Sequence, residues 1–162
     1  MTATIHPPYH LLRCRESCWK CGSDAEVIAF TTAEVTGEED DDNELPVHSP
    51  VVLTNIRNAP HPFLIAATRS GANYESRFSK TAGHEYFMNQ CGCGAVLGDH
   101  FLHNEPGHAF FPMNEEEASS VQVQEIDCSD PLEIECCFAG WSSLCLVKSG
   151  TMVDGKIDVT PV

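Results

Sequence analysis

Cations are what this chain has least of. Nine Lys and Arg stand against 24 Asp and Glu in 162 residues, a formal net charge of −15. Phosphate backbones and anionic lipid surfaces repel such a chain, and it has little from which to build the basic face of a nucleic-acid module. Neither a nucleic-acid nor a membrane partner is expected. Long apolar runs are missing too: nothing approaches the roughly eighteen residues of a spanning helix. The opening Met1-Thr2-Ala3-Thr4-Ile5-His6-Pro7-Pro8 has neither the charged nor the apolar region of a secretory signal, so a cytoplasmic, reducing setting is expected. The usual signatures of catalytic zinc are absent as well. His84-Glu85 is followed by Met88 where a His-Glu-x-x-His motif needs its second histidine. No His-x-Glu is partnered by Pro-Cys-x-x-Cys, which excludes the zinc deaminases. The expectation is a protein that is not an enzyme.

What the chain does have is cysteine, nine in all. In a reducing setting these read as metal ligands and core thiols rather than a disulfide framework. Four of them form two close pairs: Cys18-Trp19-Lys20-Cys21-Gly22, answered by Cys91-Gly92-Cys93-Gly94. A pair of thiols on a tight turn presents both sulfurs to one ion, and the glycines supply the backbone freedom the turn needs. Four thiolates make a closed structural zinc site, with no position left open for chemistry. We expect one structural Zn2+ on Cys18, Cys21, Cys91 and Cys93. Cys14 lies four residues before Cys18 and is a candidate substitute ligand. So are His100 and His103, which share a face if a helical turn follows Asp99; the alternative is that they are ordinary surface or half-buried histidines. A redox reading of Cys18-x-x-Cys21 would need a buried strand leading into it. Arg13–Ser17, in the extended lead-in, does not read as a buried strand, so a redox role is not expected. Cys136, Cys137 and Cys145 sit in strand-like apolar company and are expected in the core. Trp141 is a core anchor or an interface aromatic.

In chain order, Ala25–Thr32 has the β-branched and aromatic content of a strand. Residues 37–44, Gly-Glu-Glu-Asp-Asp-Asp-Asn-Glu, form a self-repelling, solvated acidic loop. Strand character resumes at Val51–Leu53 and Ile56. Phe63–Ala67 is a buried strand or a short helix, which periodicity does not decide. Ser70–Gly83 reads as loop, and Tyr86–Gln90 as a strand feeding the second pair. Asp99 is a candidate N-cap for a short turn through His103. Short strands follow at Val121–Ile126, Leu132–Phe138, Leu144–Val147 and Ile157–Val159. The fold class is α+β, mostly short antiparallel strands around a zinc-ribbon-like metal site.

Cys18-Trp19-Lys20-Cys21-Gly22, Asn73-Tyr74, Arg77-Phe78-Ser79, Tyr86-Phe87-Met88-Asn89, Cys91-Gly92-Cys93-Gly94-Ala95, Gly98-Asp99, Phe101-Leu102, Pro106-Gly107 and Phe110-Phe111-Pro112 together resemble a bacterial zinc-ribbon family of small, mostly uncharacterised cytoplasmic proteins. The resemblance covers residues 14–113 and implies a zinc-stabilised fold, without an activity. One departure is the second pair, which has one intervening residue where such proteins usually have two. On this reading residues 1–113 are a zinc-ribbon-like domain carrying the acidic loop, and 114–162 a β-rich extension packed on it. For function, the concentrated acidity suggests capture of a basic protein partner through Glu38, Glu39, Asp40, Asp41, Asp42 and Glu44. Its concrete form is an immunity protein that plugs the cationic active site of an antibacterial toxin. The alternative is a zinc-stabilised accessory or regulatory module of a cellular complex.

Overall fold

A computed structural model describes residues 2–38, 44–139 and 146–161. Its organising element is β1 (Thr2–Ser17), a single 16-residue strand where the sequence suggests an extended lead-in. β1 turns back on itself as an antiparallel hairpin with β2 (Asp24–Thr36). The ladder slips between His6 and Tyr9, at Pro7-Pro8, which have no N–H to donate. Thr32 bridges the gap: its hydroxyl accepts from the His6 N–H at 3.2 Å and donates to the His6 carbonyl at 2.7 Å.

β2 pairs next with β3 (Val51–Asn58), β3 with β8 (Leu132–Ala139), and β8 returns to the first residues of β1. The ring β1–β2–β3–β8 is a closed four-strand barrel rather than a ribbon. This corrects the expected architecture. The first cysteine turn is the tip of a barrel hairpin, β1–β2. β1 also pairs through residues 9–13 with β7 (Gln122–Ile126), and β7 pairs in parallel with β9 (Thr151–Ile157). The residues after 113 therefore enter the same sheet.

Two apolar cores lie on opposite faces of the β1–β2 hairpin. The continuous run Val27–Phe30 is buried throughout because alternate side chains go each way. Ile28 and Phe30 join Ile5, Tyr9, Leu53 and Ile134 in the first core. Val27 and Ala29 join Leu12, Val52, Leu97, Leu102 and Phe110 in the second. The ambiguous segment around Phe63 is helix α1 (His61–Ser70), with Pro62 in its first turn and Gly71 (φ 77°) ending it. α1 drives Phe63 into the first core, stacked on Phe30 at 4.5 Å and edge-on to Tyr9 at 5.4 Å.

The stretch read as loop, 70–83, contains β4 (Tyr74–Ser79), which pairs with β5 (His84–Gln90); β5 pairs with the short β6 (Val96–Leu97). β4 escapes sequence reading because four of its six residues are exposed and none is buried, so no apolar alternation marks it. A π-helical turn, His100–Asn104, and helix α2 (Glu115–Ser119) complete the elements used below. Of the strand expected at 144–147, residues 146 and 147 are helical, within 146–149, and residues 144 and 145 lie outside the described residues. Among the described residues no helix is long and apolar enough to cross a membrane.

Candidate metal centre

The β1–β2 hairpin and the β5–β6 hairpin each end in a cysteine turn, and the two turns face each other. In the first, the Cys18 N–H donates to the Ser23 carbonyl at 2.8 Å and the Gly22 N–H to the Cys18 carbonyl at 2.9 Å. In the second, the Cys91 N–H donates to Ala95 and the Gly94 N–H to Cys91, both at 2.9 Å. The second turn is the first with one residue removed, so the one-residue spacing of Cys91 and Cys93 still closes a knuckle. Gly22 (φ 75°) and Gly94 (φ 90°) take the left-handed conformation each turn requires.

The four predicted cysteines come together: one sulfur from each lies within 4.8 Å of all the others. Cys18 Sγ is 3.7 Å from Cys93 Sγ, and Cys21 Sγ is 3.6 Å from Cys91 Sγ. A tetrahedral ion with metal–sulfur bonds of about 2.3 Å sets its sulfurs roughly 3.8 Å apart, so the cluster fits one metal ion. Each close pair joins a buried cysteine (Cys18, Cys91) to an exposed one (Cys21, Cys93). Backbone N–H groups aim at the sulfurs, as a thiolate site requires. The N–H of Ser23 beside Cys21 is the largest influence holding that thiol down to about 6, and the N–H of Cys21 likewise lowers Cys18. At Cys91 the N–H of Cys93 acts in the same direction, but burial and the neighbouring sulfurs outweigh it and push that thiol up to about 11. Only a cation resolves four sulfurs at this spacing as thiolates together.

The proposed substitutes are elsewhere. Cys14 Sγ rests 3.9 Å from Ser120 Oγ, and the His100 ring lies 3.4 Å from the Asn104 side-chain amide. His103 is buried beside Asp99 at 3.7 Å. His108 lies between Glu16 and Glu105, at 3.2 and 3.5 Å. Cys136 is buried as expected, whereas Cys137 is exposed. Of the candidate partner-binding residues Glu38 and Glu44 are exposed; Glu39, Asp40, Asp41 and Asp42, like Trp141 and Cys145, lie outside the described residues.

Sequence reading missed what fixes the second hairpin to the barrel. Asn89, fully buried, accepts from the Ile28 N–H at 2.8 Å and donates to the Ile28 carbonyl at 2.9 Å. β3 pairs with β2 only at residues 30–32, so one edge of β2 is bare at Ile28, and the Asn89 amide serves as the missing rung. Asp99 does not cap the turn that follows it. Its carboxylate accepts from the Asn55 N–H at 2.7 Å, at a residue with φ 49°, while its own N–H donates to the Tyr86 hydroxyl at 3.0 Å. Burial pushes Asp99 up to about 7 and His103 down to about 3. Comparison with models of protein families, with curated proteins and with solved structures finds no match to this chain. The likeness to a zinc-ribbon family therefore rests on the residues quoted above.

Proposed function

We propose that this chain is a zinc-stabilised binding protein whose acidic surface captures a basic protein partner, in its concrete form an immunity protein that blocks the active site of an antibacterial toxin. The metal assigned to the four thiolates is zinc, which favours tetrahedral sulfur sites. Four protein ligands fill that coordination shell, so the ion supplies folding energy and leaves no position for a substrate. The observation that carries the binding role is where the charge lies. Residues 18–22 and 74–104, the metal-bearing part, hold three of the nine cations (Lys20, Arg77, Lys80) and three of the 24 carboxylates (Glu75, Glu85, Asp99). The formal net charge of −15 therefore belongs entirely to the rest of the chain. A neutral clasp and an acidic remainder suit a protein that steers toward a cationic cleft.

The test is affinity capture of the metal-loaded chain from its own cells, followed by association and dissociation rates with the captured protein. A basic partner should be recovered. Neutralising Glu38, Glu39, Asp40, Asp41, Asp42 and Glu44 should slow association more than it speeds dissociation, and the difference should shrink at high salt, because exposed charges act over about 8 Å. An acidic or neutral partner, or an unchanged association rate, overturns this reading. Capture of a resident cellular complex in place of a toxin favours the accessory-module alternative.

A further inference from the structure

Two of the four exposed large apolar side chains among the described residues, Trp19 (62% exposed) and Phe78 (60%), line one groove of about 390 Å³ beside the cysteine cluster. Its floor is the buried pair Tyr86 and Met88 of β5, and Phe101 adds a third aromatic to the rim. Trp19 is exposed yet fixed: its indole Nε1–H donates to the Val96 carbonyl at 2.8 Å, spanning from the first knuckle to β6. A pre-positioned aromatic loses little freedom when something docks on it, and Trp at the centre of a contact is the commonest energetic anchor.

Charge says what fits. Although the chain has 24 carboxylates, none lines this groove, whereas Lys80 and His100 do. Lys80 is exposed and makes no ion pair with any described residue. Arg57, Arg69 and Lys156, by contrast, each hold a carboxylate. We propose that the groove docks a segment of a partner protein presenting an aromatic side chain beside a carboxylate, the ring lying between Trp19 and Phe78 and the carboxylate meeting Lys80. This surface is distinct from the acidic one, and the proposal does not rest on the function proposed above.

The probe is the peptide Ac-Gly-Asp-Phe-Gly-Gly-NH2, titrated into the full metal-loaded chain while the Trp19 indole N–H and the Gly98 amide are followed by 15N NMR. Both signals should shift and saturate at millimolar peptide. Replacing the peptide's Phe by Ala should weaken binding by roughly tenfold or more, and replacing its Asp by Lys by roughly threefold to fivefold. Phe78→Ala and Lys80→Glu, both at exposed positions, should reproduce these losses with metal content unchanged. Shifts confined to another face, no shift at all, or a lysine peptide that binds as well as the aspartate one each overturn the proposal.

Discussion

Asn89→Ala tests how the second knuckle is held. The buried amide closes two hydrogen bonds to Ile28 across an otherwise bare strand edge. Truncation leaves the Ile28 N–H and carbonyl buried without partners, at about 1–3 kcal/mol each. A small cavity adds to this, so the expected loss is about 4 kcal/mol. That is a large fraction of the roughly 5–15 kcal/mol that holds a domain folded. The assay is urea unfolding of metal-loaded protein, read as the shift in midpoint at constant slope. Asn89→Asp is the sharper comparison. Its carboxylate still accepts from the N–H but sets a second acceptor against the Ile28 carbonyl, a conflict that a proton on the carboxyl relieves. The folded-state pKa of that group is raised, so its contribution is present at low pH and lost as pH rises through it. Asn89→Asp should therefore approach or exceed Asn89→Ala in stability near pH 5 and fall behind it near pH 8, each measured with metal bound. A loss below about 1 kcal/mol for Asn89→Ala would refute the view that this side chain replaces a strand rung.

The purified chain should carry about one zinc, and Cys21→Ser or Cys93→Ser should lose most of it, checked by metal analysis; full retention in both variants would dismiss the clasp. Chelation should lower stability by roughly 4 kcal/mol, because the ion closes a loop between cysteines 70 residues apart; an unchanged melting transition would contradict this. Asp99, raised to about 7 from 3.8 by burial, contributes stability at low pH that is lost between about pH 4 and 7. His103, lowered to about 3 from 6.5, contributes stability present above pH 6.5 and lost as pH falls toward 3. Asp99→Asn keeps an acceptor for the Asn55 N–H, so it should match the parent near pH 4–5 and be the more stable protein at pH 8; parallel pH profiles would reject the assignment. Duplex DNA and RNA should show no micromolar binding at physiological salt in a gel-shift assay, and a salt-sensitive shift would restore a nucleic-acid role.

The four-cysteine cluster was legible because a thiolate site demands a residue type and a spacing, both of which survive in one dimension. Val27–Phe30 and the barrel strands β2, β3 and β8 were legible as apolar runs, although nothing in them announced that β8 would close on β1. Closure is a long-range pairing, Ile5 with Leu132, and carries no local signature. β1 was hidden by Pro7-Pro8 and by Arg13 and Arg15, residues that argue against a strand until the bulge at Pro7-Pro8 and the solvent access of the two arginine side chains are seen. The tie from Asn89 to Ile28 was invisible for the same reason as closure. An asparagine in an apolar strand reads as a stray polar residue until the bare backbone opposite it is known.

The order in which the chain is made gives the long β1 strand a further meaning. Both knuckles, through Cys93, are synthesised before Leu132, the first residue of β8, and at 5–20 residues per second that interval is about 2–8 s. The two cysteine turns are thus available to a metal ion while one side of β1 still lacks the partner that seals the barrel. With zinc on the four cysteines, as proposed, zinc supply during those seconds, more than zinc affinity of the finished molecule, would govern how many nascent chains reach closure, and how many expose an unpaired strand edge to their neighbours.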